Sequence, residues 1–315
     1  MIDRRLFCGA LGATTLGATL LGASALLPAA AQAQSKVVTI PITPASFGAP
    51  TIQVTIAGQG PFTFALDTGA SFAIISPAVA RQLKLIGTRD MMIGSLKGRN
   101  IARVYTVKEI ILGGAIRVPE FEMAAVDEYG LPGLDGILPA SFLTLLPCQL
   151  DFGARELRYY LGNARMDLDG FHEVDSFFHS DNPQDLQKIY IEVYLTGEKL
   201  LCCLDTAASQ ALVINADAVN KHKWWDAFPD FRESSSIGVN GAPLKTRIAI
   251  ARDVTVGGLP LPAVPVVLSD PGDRQAKGMP YDGLIGIPFI SHFTLAFDPK
   301  KYLYVKPRVA TPAAG

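Results

Sequence analysis

The sequence predicts an all-β chain built as two related lobes, and three observations carry that expectation. Apolar stretches are short, alternate with polar residues and are punctuated by Gly or Pro rather than running to helix length. The phrase Asp67-Thr68-Gly69-Ala70-Ser71 returns as Asp205-Thr206-Ala207-Ala208-Ser209. Each copy is followed by a Gly-punctuated hairpin signal and then by an apolar motif, so the repeat extends through most of the 315 residues.

Residues 1–33 read as an export signal. Arg4-Arg5 precede Leu6-Phe7, an almost uncharged stretch rich in Ala, Gly, Leu and Thr runs to Pro28, and Ala31-Gln32-Ala33 offers a small-residue cleavage site. Arg-Arg-x-Phe resembles the twin-arginine type of signal, which implies a periplasmic or secreted protein. The alternative is an anchor, because Leu6 to Ala31 is long enough to span a bilayer if left uncleaved.

The first lobe is expected over residues 36–165. Ile52-Gln53-Val54-Thr55-Ile56 alternates as a half-buried strand, Gly58-Gln59-Gly60-Pro61 turns it, and Phe62–Leu66 returns to Asp67. A short helix is expected near Pro77–Leu83. Met91-Met92-Ile93 leads into Gly94-Ser95-Leu96-Lys97-Gly98, and Ile101–Val107 comes back, forming a hairpin whose tip is a candidate flap. The lobe closes with Asp135-Gly136-Ile137-Leu138-Pro139 and Leu150-Asp151-Phe152. Asp135 and Asp151 are read as turn or structural residues, as are their counterparts Asp282 and Asp298.

A polar segment with Asn182-Pro183 marks a linker over residues 166–185. The second lobe, residues 186–308, repeats the plan. Ile191–Leu195 and Leu200–Leu204 flank Gly197-Glu198 and lead to Asp205; a short helix is expected over Ala216–Val219. Ile237-Gly238-Val239-Asn240-Gly241 is the second candidate flap, and Asp282-Gly283-Leu284-Ile285-Gly286 matches the first lobe's apolar motif. The two aspartates lie 138 residues apart and the two apolar motifs 147, so the second lobe is nine residues longer in between. The surplus is expected around Lys221–Pro229, which carries Trp224, Trp225 and Phe228, either bordering a cleft or covering a satellite core. A tail follows at residues 309–315.

Composition excludes several classes. The formal net charge is −1, and Lys and Arg form no basic stripe, so no nucleic-acid partner is expected. His172, His179, His222 and His292 lack metal-ligand spacing, and no metal or other cofactor is expected. Cys148, Cys202 and Cys203 make an odd set after loss of the leader, reading as small buried apolar groups, with a bridge from Cys148 as the alternative. There is no Gly-x-Ser-x-Gly elbow for serine chemistry.

The apolar-Asp-Thr-Gly-Ala-Ser phrase, its near copy and Leu284-Ile285-Gly286 together resemble a bilobal aspartic peptidase of the pepsin and retropepsin superfamily, more like two fused retropepsin units than an animal pepsin. The resemblance covers roughly Val37 to Val305. It implies an acid-protease-like fold of two β-barrel-like lobes, with Asp67 and Asp205 as the catalytic pair. Thr68 and Thr206 would interlock the two loops, with Gly69, Ala70, Ser71, Ala207, Ala208 and Ser209 as loop support. Gly94, Ser95, Leu96, Gly98, Gly238, Val239, Asn240 and Gly241 would be flap residues over an extended peptide. The partner implied is a peptide or protein substrate, and the pair would form within one chain, so that a monomer suffices.

Two departures stand against the pattern: Ala207 replaces the second loop glycine, and Pro139 replaces the first lobe's motif glycine. Both favour the alternative of a peptide-binding protein that keeps the fold without catalysis. If the backbone at Ala207 needed positive φ, the methyl would add strain of about 1–2 kcal/mol. A third reading has the second lobe purely structural, with first lobes pairing between chains.

The chemistry expected of the pair follows from charge. Two carboxylates about 4 Å apart repel by about 4 kcal/mol at an effective dielectric near 20. They therefore share one proton over a wide pH range. The position after each loop glycine is alanine, Ala70 and Ala208, and supplies no hydroxyl to stabilise the ionised form. The expected optimum is therefore weakly acidic to neutral.

Overall fold

A computed structural model describes residues 35–95, 98–126, 132–179, 188–228, 230–237, 243–261, 263–272, 279–300 and 302–308. The leader (residues 1–33), the flap residues Leu96, Gly238, Val239, Asn240 and Gly241, and the tail at 309–315 lie outside them. Among the described residues no helix is long and apolar enough to cross a membrane.

Alternation of apolar and polar residues builds the sheets. Pro50–Ile56 buries Ile52, Val54 and Ile56 and turns Gln53 to solvent, and Gln59–Asp67 returns against it in antiparallel register, Ile52 opposite Phe64. Lys188–Leu195 and Glu198–Leu204 repeat this, with Ile191 opposite Cys202. In each lobe the returning strand is flanked by a later one running parallel to it. Gly136–Pro139 lies beside Gln59–Asp67 and Gly283–Ile285 beside Glu198–Leu204. Each of these later strands also pairs antiparallel with the short strand after the aspartate loop, Ile74–Ile75 or Leu212–Ile214. The chain thus passes on both sides of each aspartate loop, fixing where it projects. Each lobe's sheet is 10-stranded, with the same strand order in both lobes.

The lobes meet in a 6-stranded sheet. Its centre is the antiparallel pair Cys148–Asp151 and Phe293–Asp298, one strand from each lobe, with Leu150 opposite Leu295 and Cys148 opposite Phe297. Lys36–Pro41 pairs outside Glu156–Leu161, and His172–Val174 outside Tyr302–Pro307. The segment expected as a linker therefore carries two short strands, His172–Val174 and Ser176–His179; the second pairs with Lys188–Leu195. Val174 is buried, which gives the first of these its anchor.

The paired motif aspartates have structural partners. Asp135 Oδ2 accepts the Thr63 N–H (2.8 Å) and Asp282 Oδ2 the Leu201 N–H (2.9 Å), tying each parallel strand to the hairpin beside it. Asp151 Oδ1 caps the turn at Gly153 and Ala154, and Asp298 Oδ1 the turn at Lys300. The two expected helices are Pro77–Gln82, capped by Ser76 Oγ on Val79 N–H, and Ala216–His222, capped by Asn215 Oδ1 on Ala218 N–H. Cys148, Cys202 and Cys203 are buried and unbridged.

Strand register locates the second lobe's nine extra residues in more places than the sequence indicated. The helix cap falls nine residues after Asp67 but ten after Asp205, so one lies in the aspartate loop itself. Four lie between helix and hairpin, where Trp224 and Trp225 sit, one lies between the hairpin's two strands, and four follow Val264–Ser269, with one fewer between the hairpin and that strand.

Because Leu150 is fully buried at the pairing of the two lobes, Leu150→Ala is expected to cost about 2–5 kcal/mol. Chemical denaturation should show the loss in both lobes together, as one transition.

Candidate functional site

Asp67 ends the strand Gln59–Asp67, and Asp205 follows Glu198–Leu204. The chain then turns back at once, and each turn is closed by its own carboxylate. Asp67 Oδ1 accepts the N–H groups of Gly69 (2.9 Å) and Ala70 (3.1 Å); Asp205 Oδ1 accepts those of Ala207 (2.8 Å) and Ala208 (3.0 Å). One oxygen of each carboxyl is thereby pinned.

The threonines join the loops. Thr68 Oγ1 donates to the Leu204 carbonyl (2.6 Å) and accepts the Thr206 N–H (3.0 Å). Thr206 Oγ1 does the same with the Leu66 carbonyl (2.6 Å) and the Thr68 N–H (3.0 Å). Both side chains are fully buried, so each hydroxyl satisfies a donor and an acceptor that water cannot reach. Residues 138 positions apart are thus held in one reciprocal set of four bonds.

The carboxyls are within hydrogen-bonding reach of each other. A Cβ added at Gly69 would lie 2.6 Å from Asp205 Cγ and Oδ2, so glycine here is a requirement of space. Burial first, and then the Asp205 charge, hold Asp67 well above the ordinary carboxylate value, against the pull of the Gly69 and Ala70 N–H groups. Burial also raises Asp205, but its opposing influences are more numerous: the Ala207 N–H, the hydrogen bond with Asp67, the Ala208 N–H and the positive charge of Lys188. The pair therefore keeps a proton to higher pH than isolated carboxyls would, and the surroundings favour Asp205 as its charged member.

Ala207 sits differently from the strained alanine considered above. It is not among the residues with positive φ, and its methyl packs with Ala45, Phe47 and Ile287 against Ala49, Ala65 and Leu134 of the first lobe. The extra loop residue also explains the glycine and proline of the apolar motifs. A Cβ at Gly286 would meet the Gln210 carbonyl oxygen at 2.1 Å and that of Ala208 at 2.6 Å. The first loop is one residue shorter and has no counterpart to Gln210, and Pro139 is accommodated there, buried and in register beside Asp67.

Of the remaining loop residues, Ser71 is half-buried and Ser209 exposed, and neither hydroxyl bonds the carboxylates. Gly94, Ser95 and Gly98 lie at the tip of the hairpin Gly87–Ser95/Gly98–Val107, with Ser95 opposite Gly98. This hairpin is fixed near the Asp67 loop by a separate apolar cluster of Phe72, Ala102, Val104 and Ala124, joined by Ile74, Met91, Ile93 and Val126. The register places Ser234, Thr246 and Ser269 of the second lobe where Met91, Ala102 and Val126 stand in the first. Sequence reading missed this polar–apolar difference between the flanks, because spacing alone does not align the two hairpins.

Two half-barrel lobes on a shared sheet, with paired Asp-Thr loops interlocked between them, make a bilobal acid-protease-like fold. A family model described as aspartyl protease matches residues 52–142, the core of the first lobe. Among solved structures, the fold is similar to an aspartic proteinase from Irpex lacteus (14% identity, 88% of this chain and 99% of that one, TM-score 0.55). It is also similar to basic 7S globulin from soybean (8% identity, 87% and 95%, TM-score 0.51). No curated protein sequence matches the chain.

Two outcomes are expected from this geometry. Thr68→Val strips a buried carbonyl and a buried N–H of their partners across the lobes, and should cost about 1–3 kcal/mol in denaturant titrations. The second concerns pH. Both carboxyls titrate above their unfolded values, so their contribution to stability is full below the ordinary carboxylate range and is lost as pH rises through the raised values. Asp67→Asn should therefore raise the Tm by a few degrees at neutral pH, with the gain vanishing below about pH 3.5.

Proposed function

We propose that the chain is an aspartic-type endopeptidase in which Asp67 and Asp205 activate one water molecule. The observation that carries the reading is the symmetric pinning of the two carboxyls, within reach of each other, at a half-buried site that raises the pKa of both. Metal-free hydrolysis of an amide requires a base for the water and an acid for the carbonyl, and a pair sharing one proton provides both.

The environments suggest the division of labour. Asp205, nearer the influence of Lys188, takes the proton from water as its oxygen bonds to the carbonyl carbon. Asp67 holds the proton that hydrogen-bonds the carbonyl oxygen and passes to it as the tetrahedral intermediate forms. Breakdown returns a hydroxyl proton to Asp67 while the leaving nitrogen takes the proton held by Asp205, and the C–N bond breaks. The backbone N–H groups of residues 69, 70, 207 and 208 need not move during this cycle. They are already oriented on the carboxylates, so little reorganisation accompanies the charge transfer.

The substrate would be an extended peptide, its main chain hydrogen-bonded beneath the hairpins as an added strand. The export signal read in residues 1–33 would place this activity in the periplasm or outside the cell. The packing of Ala207 against the first lobe weakens the case for a catalytically silent binder, since the second loop presents its carboxylate just as the first does.

Cleavage of a mixed peptide library tests the reading. Asp67→Asn and Asp205→Asn should each lower kcat/KM by about a thousandfold or more while leaving the fold intact. Cleavage should be greatest at weakly acidic to neutral pH. An active Asp205→Asn variant, peptide binding without cleavage by the unaltered chain, or an optimum in strong acid would each contradict it.

A further inference from the structure

The two hairpins carry an equivalent cross-strand ion pair that the two lobes treat differently. In the first, Arg103 lies opposite Asp90 and bonds it at 3.0 Å; in the second, Arg247 lies opposite Glu233 and bonds it at 2.9 Å. The neighbouring strand confirms the equivalence, since Arg103 pairs with Ala125 and Arg247 with Leu268, each next to the residue in register with the post-loop strand.

Arg247 is covered by its own chain. The four extra residues between helix and hairpin bring Trp225 and Asp226 onto it. The Trp225 ring lies 4.3 Å from the guanidinium carbon, the Trp225 carbonyl accepts from Nη1 at 2.8 Å, and Asp226 Oδ1 accepts from the same nitrogen at 2.5 Å. Phe231 closes the other side at 3.9 Å. The Arg247 side chain is 13% exposed, whereas that of Arg103 is 53% exposed.

The first lobe lacks this covering segment, and the same flank is a concavity of about 230 Å³ bordered by Arg81, Asp90, Ile101, Arg103 and Tyr105. Arg81 stands where the second lobe has Asn220, so the open flank has gained a second guanidinium; Arg81 forms no ion pair among the described residues. Ile101 is 68% exposed beside it. The flank therefore offers what the filled one uses: a guanidinium with donors to spare, flat guanidinium and aromatic faces, and apolar surface. It adds the positive charge of Arg81, which has no ion-pair partner among the described residues.

We infer that this flank of the first lobe is a docking site, outside the cleft, for an acidic–aromatic peptide segment of a protein substrate or partner. The internal repeat identifies the chemistry, because the chain's own Trp225-Asp226 shows how such a segment seats on this arginine. An aromatic side chain would stack on Arg103 while a carboxylate bonds Arg103 and Arg81 together. The site does not depend on the peptidase reading.

The probe is a fluorescein-labelled, end-capped peptide with the sequence of residues 223–228, Lys-Trp-Trp-Asp-Ala-Phe, titrated with the full chain and followed by polarisation. Saturable binding is expected. It should weaken about tenfold or more in Arg103→Gln/Arg81→Gln, whose substituted side chains are exposed and outside the core, and equally when the peptide's Asp is replaced by Asn. It should be unchanged in Asp67→Asn/Asp205→Asn, so that loss of the catalytic reading leaves it standing. No saturable binding up to millimolar peptide, or an affinity indifferent to the two arginines, would overturn the inference.

Discussion

The structure depends on the reciprocal bonding of Thr68 and Thr206. Each hydroxyl reaches across the boundary between lobes to a carbonyl just before the other aspartate and takes an N–H just after it. All four groups are out of reach of water, so a shift of one loop relative to the other would leave buried donors and acceptors unpaired, at about 1–3 kcal/mol for each. This fixes the separation of Asp67 and Asp205, two like charges that would otherwise move apart. The shared sheet, with Leu150 facing Leu295, holds the lobes broadly together; the threonines set the fine geometry that the carboxyl chemistry needs.

That interlock tolerates a substantial asymmetry around it. The second aspartate loop is one residue longer, and the backbone of Ala208 and Gln210 crowds the apolar motif, so Gly286 cannot carry a side chain. The first loop is shorter, and there Gly69 is the residue without room, because its missing Cβ leaves space for the Asp205 carboxyl. Glycine is thus demanded once in each lobe, at different points of a common plan, and Ala207 and Pro139 stand where that demand is relaxed. Pro139 is tolerated beside the shorter first loop, and Ala207 by its packing against the first lobe.

Much of this was legible in the sequence. The alternation from Ile52 to Ile56 and from Ile191 to Leu195, the turns at Gly58–Pro61 and Gly197, and the duplicated Asp-Thr phrase suffice for two lobes and a pair of carboxylates. The cross-lobe role of Thr68 and Thr206 came from family resemblance, since nothing in their local sequence says what lies 138 residues away. The position of the extra loop residue was hidden because the match Ser71/Ser209 ends just before it, and only the helix caps Ser76 and Asn215 reveal it. The equivalence of Arg103 and Arg247 depends on strand register, which two hairpins of unlike composition do not announce. Their different fates, one covered by Trp225 and one open, are a matter of tertiary packing alone.

Asp67 and Asp205 are expected to behave as one titrating pair. Carbon-13 NMR of the Asp67 carboxyl across pH, in the unaltered chain and in Asp205→Asn, measures this directly. The pKa of Asp67 is predicted to fall in the variant, because its neighbour's charge is gone, yet to stay above 3.8 because burial remains. An Asp67 titration that does not respond to the loss of Asp205 would contradict a shared site.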